Sequence, residues 1–230
     1  MLPPFLKHAP VQGELRSKIA GKRNIEGVPT FMIIETILSS TSEDGKANFA
    51  PIGVRIPDDC LRLSEVKEID LFLYPGSHTF SNLKQVPQGV ANLTDDVLSF
   101  VEAALFSDRL ATVPSRLVLP PRIAAAKTLW EFSIGSFDDS SSPARVRGKV
   151  LLFEEVGGFA GYCRAQGAIL EATIAATRLQ WILPRKILDS WQLWQEAVAK
   201  TGGIREQRAF QKLTEYFVQQ GFAIPTGTST

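Results

Sequence analysis

From Phe31 to Val156 the apolar residues come in short runs of β-formers broken by turn residues, whereas after Gly157-Gly158 they recur at helical spacing. Phe31-Met-Ile-Ile-Glu-Thr-Ile-Leu-Ser39 is dense in β-branched side chains, Glu43-Asp-Gly45 supplies a tight turn, and Ala47-Asn-Phe-Ala-Pro-Ile-Gly-Val-Arg55 follows. The pattern predicts a β-hairpin. Pro51 and Gly53 fit a central ladder poorly, because Pro donates no hydrogen bond and Gly packs no side chain, so a bulge or a close-lying ligand is expected there. Further strands are expected from Cys60 to Ser64, Ile69 to Tyr74 and Gly89 to Leu93, with a short helix from Thr79 to Val86. Thr94-Asp-Asp96 reads as the start of a helix from Val97 to Leu105, with Thr94 as its N-cap and two acids at the positive end of the dipole.

A second hairpin is expected where Leu129 to Phe137 meets Arg145 to Glu155 across Asp138, Asp139, Ser140, Ser141, Ser142 and Pro143. Several short antiparallel strands with few helices favour a barrel over a doubly wound sheet. Beyond Gly158, Tyr162 to Trp181 reads as an alanine-rich helix. Pro184 suits the first turn of a second helix reaching Lys200, and Gly202-Gly203 punctuates before a third from Glu206 to Gln220. The expected organisation is a loosely held arm over residues 1–27, a barrel over 28–156, a helical module over 157–222 and a frayed tail over 223–230.

Composition narrows the function classes. With 25 basic against 24 acidic residues in 230, the chain lacks the basic excess of a nucleic-acid binder. Cys60 and Cys163 are far apart and in unlike contexts, so neither a disulfide framework nor a metal knuckle is expected. His8 and His78 are too few for a zinc site, and no structural metal is expected. No run is long and apolar enough for a signal peptide or a membrane span, which points to a cytoplasmic protein.

Motifs that name a reaction are absent: there is no phosphate-binding glycine loop, no G-x-S-x-G elbow and no HExxH. Three local features carry candidate chemistry. In Asn48 to Arg55 an irregular strand offers backbone edges suited to a planar heterocycle, or it is simply a bulged barrel corner. Ser77-His-Thr-Phe-Ser-Asn-Leu83 opens a helix whose first amides, with the Ser77 and Thr79 hydroxyls, form a phosphate cradle or merely an ordinary cap. Arg164, Glu171 and Arg178 are spaced seven apart, which puts them on one helix face at about 10 Å intervals. That row reads as an ion network orienting the helix in preference to a catalytic set.

At these residues the sequence resembles the prokaryotic domain-of-unknown-function 447 family, related to flavoredoxins and flavin reductases. The resemblance runs from Ile33 to Tyr216 and is carried by Ile34-Glu-Thr-Ile37, Asp44-Gly45, Asn48 with Ala50-Pro-Ile-Gly53, Thr79 with Asn82-Leu83, and Asn92 with Thr94-Asp-Asp96. The block from Arg164 to Arg178 and Lys200-Thr-Gly-Gly203 resemble the family's C-terminal part. The resemblance implies a mainly β fold with α: an antiparallel, Greek-key-like FMN-binding split β-barrel with a C-terminal helical module. It further implies a homodimer with FMN between the subunits. The flavin ring would lie against Asn48, Ala50, Pro51, Ile52, Gly53 and Val54, and the phosphate near Ser77, Thr79 and Asn82, with Asn92 and Thr36 in the same groove. No basic residue precedes Thr79 where relatives often carry one; His78 stands there, and Arg55 is the candidate charge partner. The implied function is a flavin-dependent oxidoreductase with a nicotinamide or protein electron donor; the alternative is a non-catalytic FMN-binding or protein-interaction module.

Overall fold

The computed structural model describes residues 31–224 except 59, 61, 107–109, 159 and 160; the arm expected over residues 1–27 and the end of the tail lie outside the described residues. The apolar runs form strands because they bury one face each. β1 (Phe31–Thr41) and β2 (Ala47–Pro57) pair antiparallel over their whole length. The turn between them closes where Gly45 N–H donates to Ser42 O at 2.9 Å, with Gly45 at φ 82, a left-handed conformation that favours glycine.

β3 (Glu68–Leu73), β4 (Gln88–Leu93), β7 (Thr128–Asp138) and β8 (Ala144–Glu155) complete a closed antiparallel barrel in the order β1-β2-β3-β8-β7-β4. Two short strands, β5 (Thr112–Val113) and β6 (Arg122–Ile123), pair separately. Alternation sends Leu38, Val54, Ile56, Ile69, Leu71, Leu73, Trp130, Phe132 and Val146 inward, where they form the barrel core. Phe132 spans that core so closely that a Cβ on Gly89 or Gly148 would lie 2.5 or 2.7 Å from its ring.

The bulge expected at Pro51 and Gly53 does not occur. The β1–β2 register runs unbroken through Ile37↔Pro51 and Glu35↔Gly53, and the irregularities fall instead between β7 and β8. Proline is tolerated because β2 meets β3 only at Arg55↔Asp70, which leaves Pro51 on an unpaired edge. The strand expected from Cys60 to Ser64 is likewise absent; a 3₁₀ turn, Leu63–Glu65, closes that barrel end and Leu63 O accepts from Trp130 Nε1 at 3.1 Å.

Helix α1 (His78–Gln85) caps the barrel end beside the β1–β2 turn. α2 (Val97–Val101) continues as a π-helical turn, Glu102–Phe106. Thr94 is not its N-cap: Asp96 holds that position, while Thr94 Oγ1 donates to Ala125 O at 2.7 Å and accepts from Asp96 N–H at 3.0 Å. The threonine therefore ties two connections together. Ile37 and Phe49 on the barrel exterior pack with Phe100, Ala103, Ile123 and Ala126 beneath this helix.

α3 (Arg164–Ala176), α4 (Pro184–Thr201) and α5 (Ile204–Gln219) build a second core. Pro184 begins α4 as expected, and Glu206 Oε2 accepts from Gly203 N–H at the start of α5. Trp191 stacks on Phe210 at 4.9 Å between centroids and meets Phe217 edge-on at 5.3 Å. α3 ends at Ala176, short of the expected Trp181, so Arg178 lies in the following turn and not on the helix.

Candidate functional site

The β1–β2 ribbon borders two separate cavities. One, of about 440 Å³, sits at the turn end and is lined by Ser42, Asp44, Lys46, Ala47, Asn48, Phe49, His78, Asn82 and Ala103. Its position follows from local structure: the Gly45 turn carries Lys46 around to face the first turn of α1. Ser77 N-caps α1, accepting from Phe80 N–H at 3.2 Å. That leaves the N–H groups of His78 and Thr79 without a carbonyl partner among the described residues.

Asn48 Nδ2 donates to Thr79 Oγ1 at 3.1 Å, and Asn82 Nδ2 donates to Ser40 Oγ at 3.1 Å. Both amides are thereby fixed, and their carbonyl oxygens have no partner among the described residues. Thr41 Oγ1, on the residue paired with cavity-lining Ala47, is buried without a partner. A hydrogen bond from the Ser42 hydroxyl holds Asp44 below the ordinary carboxylate range.

The second cavity, of about 370 Å³, opens between the outer face of the ribbon and α3. Its floor comes from Ile33, Glu35, Pro51, Gly53 and Arg55, and its roof from Leu170, Thr173, Ile174, Thr177 and Arg178. Burial pushes the Glu35 carboxyl up, Arg178 draws it partly back, and Glu171 adds to the rise.

The expected site residues therefore divide among three places. Asn48 and Asn82 line the first cavity with Ser77 and Thr79 directly behind them, while Pro51 and Gly53 line the second. Ala50, Ile52 and Val54 alternate with these toward the barrel interior, where Thr36 Oγ1 donates to Ile52 O at 2.9 Å. Asn92 is fully buried and reaches neither cavity. Its Nδ2 donates to Ile37 O at 2.8 Å and to Ser39 Oγ at 2.9 Å, and its Oδ1 accepts from Ile123 N–H at 3.0 Å. Arg55 lies away from the α1 cradle, between the rings of Phe31 and Phe72 at 4.3 and 3.8 Å.

The Arg164, Glu171, Arg178 row is also split. Glu171 and Arg178 act on Glu35 of the barrel, while Arg164 acts on Glu196 of α4. Sequence reasoning missed Lys46, which stands across the hairpin and not ahead of Thr79. Its one local signal is the position immediately after Asp44-Gly45, which a tight turn carries back toward the barrel end.

Among the described residues no group of three or more His, Cys, Asp or Glu side chains could hold a metal, and no helix is long and apolar enough to cross a membrane. Cys60 and Cys163 are both free thiols. No curated protein matches the chain. Among solved structures, an FMN-bound protein of the DUF447 family from Methanosarcina mazei is similar at 24% identity and a TM-score of 0.66, over 80% of this chain and 94% of that one. Flavoredoxin from Methanosarcina acetivorans is similar at 14% identity and a TM-score of 0.45, over 54% and 68%. The 2-nitrobenzoate 2-nitroreductase of Pseudomonas fluorescens gives 18% and 0.43, over 65% and 76%. The first of these supports the split-barrel fold. A family model described as the N-terminal domain of a protein of unknown function, DUF447, matches residues 34–154, and its C-terminal counterpart matches 163–215, so the chain belongs to the DUF447 family.

Proposed function

We propose that this protein binds FMN in the turn-end cavity and acts as a flavin-dependent oxidoreductase of the flavin-reductase-like class, in a homodimer whose second copy covers the open side of that cavity. The observation that carries the reading is the convergence on one cavity of Lys46 and Asn48 from the ribbon with His78 and Asn82 from α1, at a helix start whose His78 and Thr79 N–H groups have no partner among the described residues. A phosphate needs the lysine and the helix N–H groups, and a ribityl chain or ring edge needs the two side-chain amides. The FMN-bound relative from Methanosarcina mazei supports the choice of cofactor.

The cofactor supplies the electron transfer; the side chains supply placement and charge. Lys46 neutralises the phosphate, taking the role of the basic residue missing ahead of Thr79, and His78 lies beside it as a hydrogen-bonding side chain. Asn48 and Asn82 accept from the ligand because Thr79 and Ser40 hold their donor ends. Phe49 and Ala103 give the apolar wall. Thr36 and Asn92 act indirectly, by fixing the ribbon and its closure onto β4.

Purified protein is expected to be yellow and to release FMN on denaturation. A colourless protein that excess FMN does not stabilise against heat contradicts the reading. Anaerobic NADH or NADPH then reports the donor. Bound flavin that both leave oxidised contradicts the nicotinamide-dependent form of the proposal.

A further inference from the structure

We propose that the cleft between the β1–β2 ribbon and α3 is a second ligand site, which takes a small aromatic monocarboxylate. The cleft is distinct from the turn-end cavity, and the proposal does not depend on flavin binding there. Leu170, Thr173 and Ile174 form one stripe of α3, continued by Thr177 just past the helix end, and line the cleft across from the ribbon, with Leu170 also packed against the cluster of Ile37 and Phe100. The opposite stripe of α3, with Ala165, Ile169 and Ala172, packs fully into the helical core. A cleft of about 370 Å³, lined by the ribbon on one side and by α3 with the turn after it on the other, has the size and the mostly apolar lining of a small-molecule site.

Charge identifies the occupant. Arg55 is half-buried and its guanidinium is clamped between Phe31 and Phe72, yet it forms no ion pair with a described carboxylate. Asp70, its partner across the strands, is already held by Arg145 at 2.8 Å and by Arg147 at 2.9 Å. Clamping by the two rings fixes the plane of the guanidinium and leaves its N–H edge for a planar carboxylate, the geometry in which arginine binds best. Arg178 adds a second cation at the rim, within electrostatic reach of Glu35 and in no ion pair among the described residues.

The other wall limits the charge. Glu35 faces the same space from β1, so a dianion such as an organic phosphate meets about twice the repulsion that a monocarboxylate does. Pro51, Phe100, Leu170 and Ile174 supply apolar walls for a ring, and Gly53 keeps the floor bare. A Cβ at Gly53 would lie 2.7 Å from Ile33 Cγ2 and 3.5 Å from Glu35 Oε1.

The test is a titration of methyl-labelled protein with benzoate, followed by NMR, with benzyl alcohol as the uncharged counterpart. Saturable shifts at Ile33, Leu170 and Ile174 are expected with a millimolar Kd, roughly what so small a ligand reaches. Benzyl alcohol is expected to bind about tenfold more weakly, and Arg55→Gln to weaken benzoate by about tenfold. Glu35→Gln guards against an Arg55 variant that fails to fold: removing the opposing charge is expected to tighten benzoate by about threefold. Absence of saturable shifts at those methyls, equal binding of benzyl alcohol, an unchanged Kd in folded Arg55→Gln, or weaker binding in Glu35→Gln overturns the proposal.

Discussion

The two cavities share one ribbon but use it in opposite ways. At the turn end the ribbon and α1 commit each other's amides, Asn48 donating to Thr79 and Asn82 donating to Ser40, beside a lysine and helix amides without a partner among the described residues. Under α3 it offers its outer face, an edge with a proline and a bare glycine, where an arginine between two rings faces a half-buried carboxylate. A strand of period two can thus serve a hydrogen-bonding polar site at one end and an apolar, charge-selective cleft farther along. The division is physical and not merely positional, so changes at one site should leave the other intact.

The largest effect is expected at Asn92, which lies in neither cavity and anchors the ribbon to β4. Asn92→Ala leaves the carbonyl of Ile37 and the amide of Ile123 without their buried partner, and should destabilise the fold by about 3 kcal/mol in a denaturant titration. Whatever remains folded should keep its FMN affinity; a selective loss of flavin at unchanged stability would move Asn92 into the site. Next, Lys46→Glu should weaken FMN by about 50-fold, from a lost charge-assisted contact and a new repulsion, with benzoate binding unchanged. If both ligands weaken together, the two cavities are not independent. The Thr79→Ala, Asn82→Ala pair should weaken FMN by about tenfold, and full retention of affinity would contradict the phosphate placement.

The smallest effect is expected at Asp70, outside both cavities. Burial opposes its charge, but Arg147 and Arg145 outweigh that, so its carboxyl lies below the ordinary value in the folded chain. The stabilisation is therefore present above the unfolded carboxylate range near pH 4 and is lost as pH falls through the lower folded value. Asp70→Asn should cost about 1 kcal/mol at pH 7 and flatten that acid limb in stability measured against pH, with both ligands unaffected.

Much of the fold was legible because each barrel strand carries its own signature. The β1–β2 hairpin, the β7–β8 hairpin and the helix after Ser77 follow from period-two runs, an Asp-Gly turn and a serine cap. What failed was settled by tertiary contacts. Pro51 looked like a break but sits on an edge that β3 leaves unpaired, and Thr94 looked like a cap but is claimed by Ala125 from another segment. The candidate sites divide in the same way. The irregular strand at Asn48 and the helix start at Thr79 are visible in the sequence, and Asn82 follows from the family resemblance, whereas Lys46 is placed only by the path of the turn. The alignment of Arg164 with Arg178 rests on a helix from Tyr162 to Trp181, whereas α3 ends at Ala176, two residues before Arg178.

The central claim is that the turn-end cavity is a flavin site, and an equilibrium titration of FMN fluorescence against wild-type and Lys46→Glu protein tests it most directly. Saturable quenching at one FMN per chain, with the curve shifted by about 50-fold in the variant, is the predicted result. Quenching that does not saturate, or that is indistinguishable between the two proteins, contradicts the account.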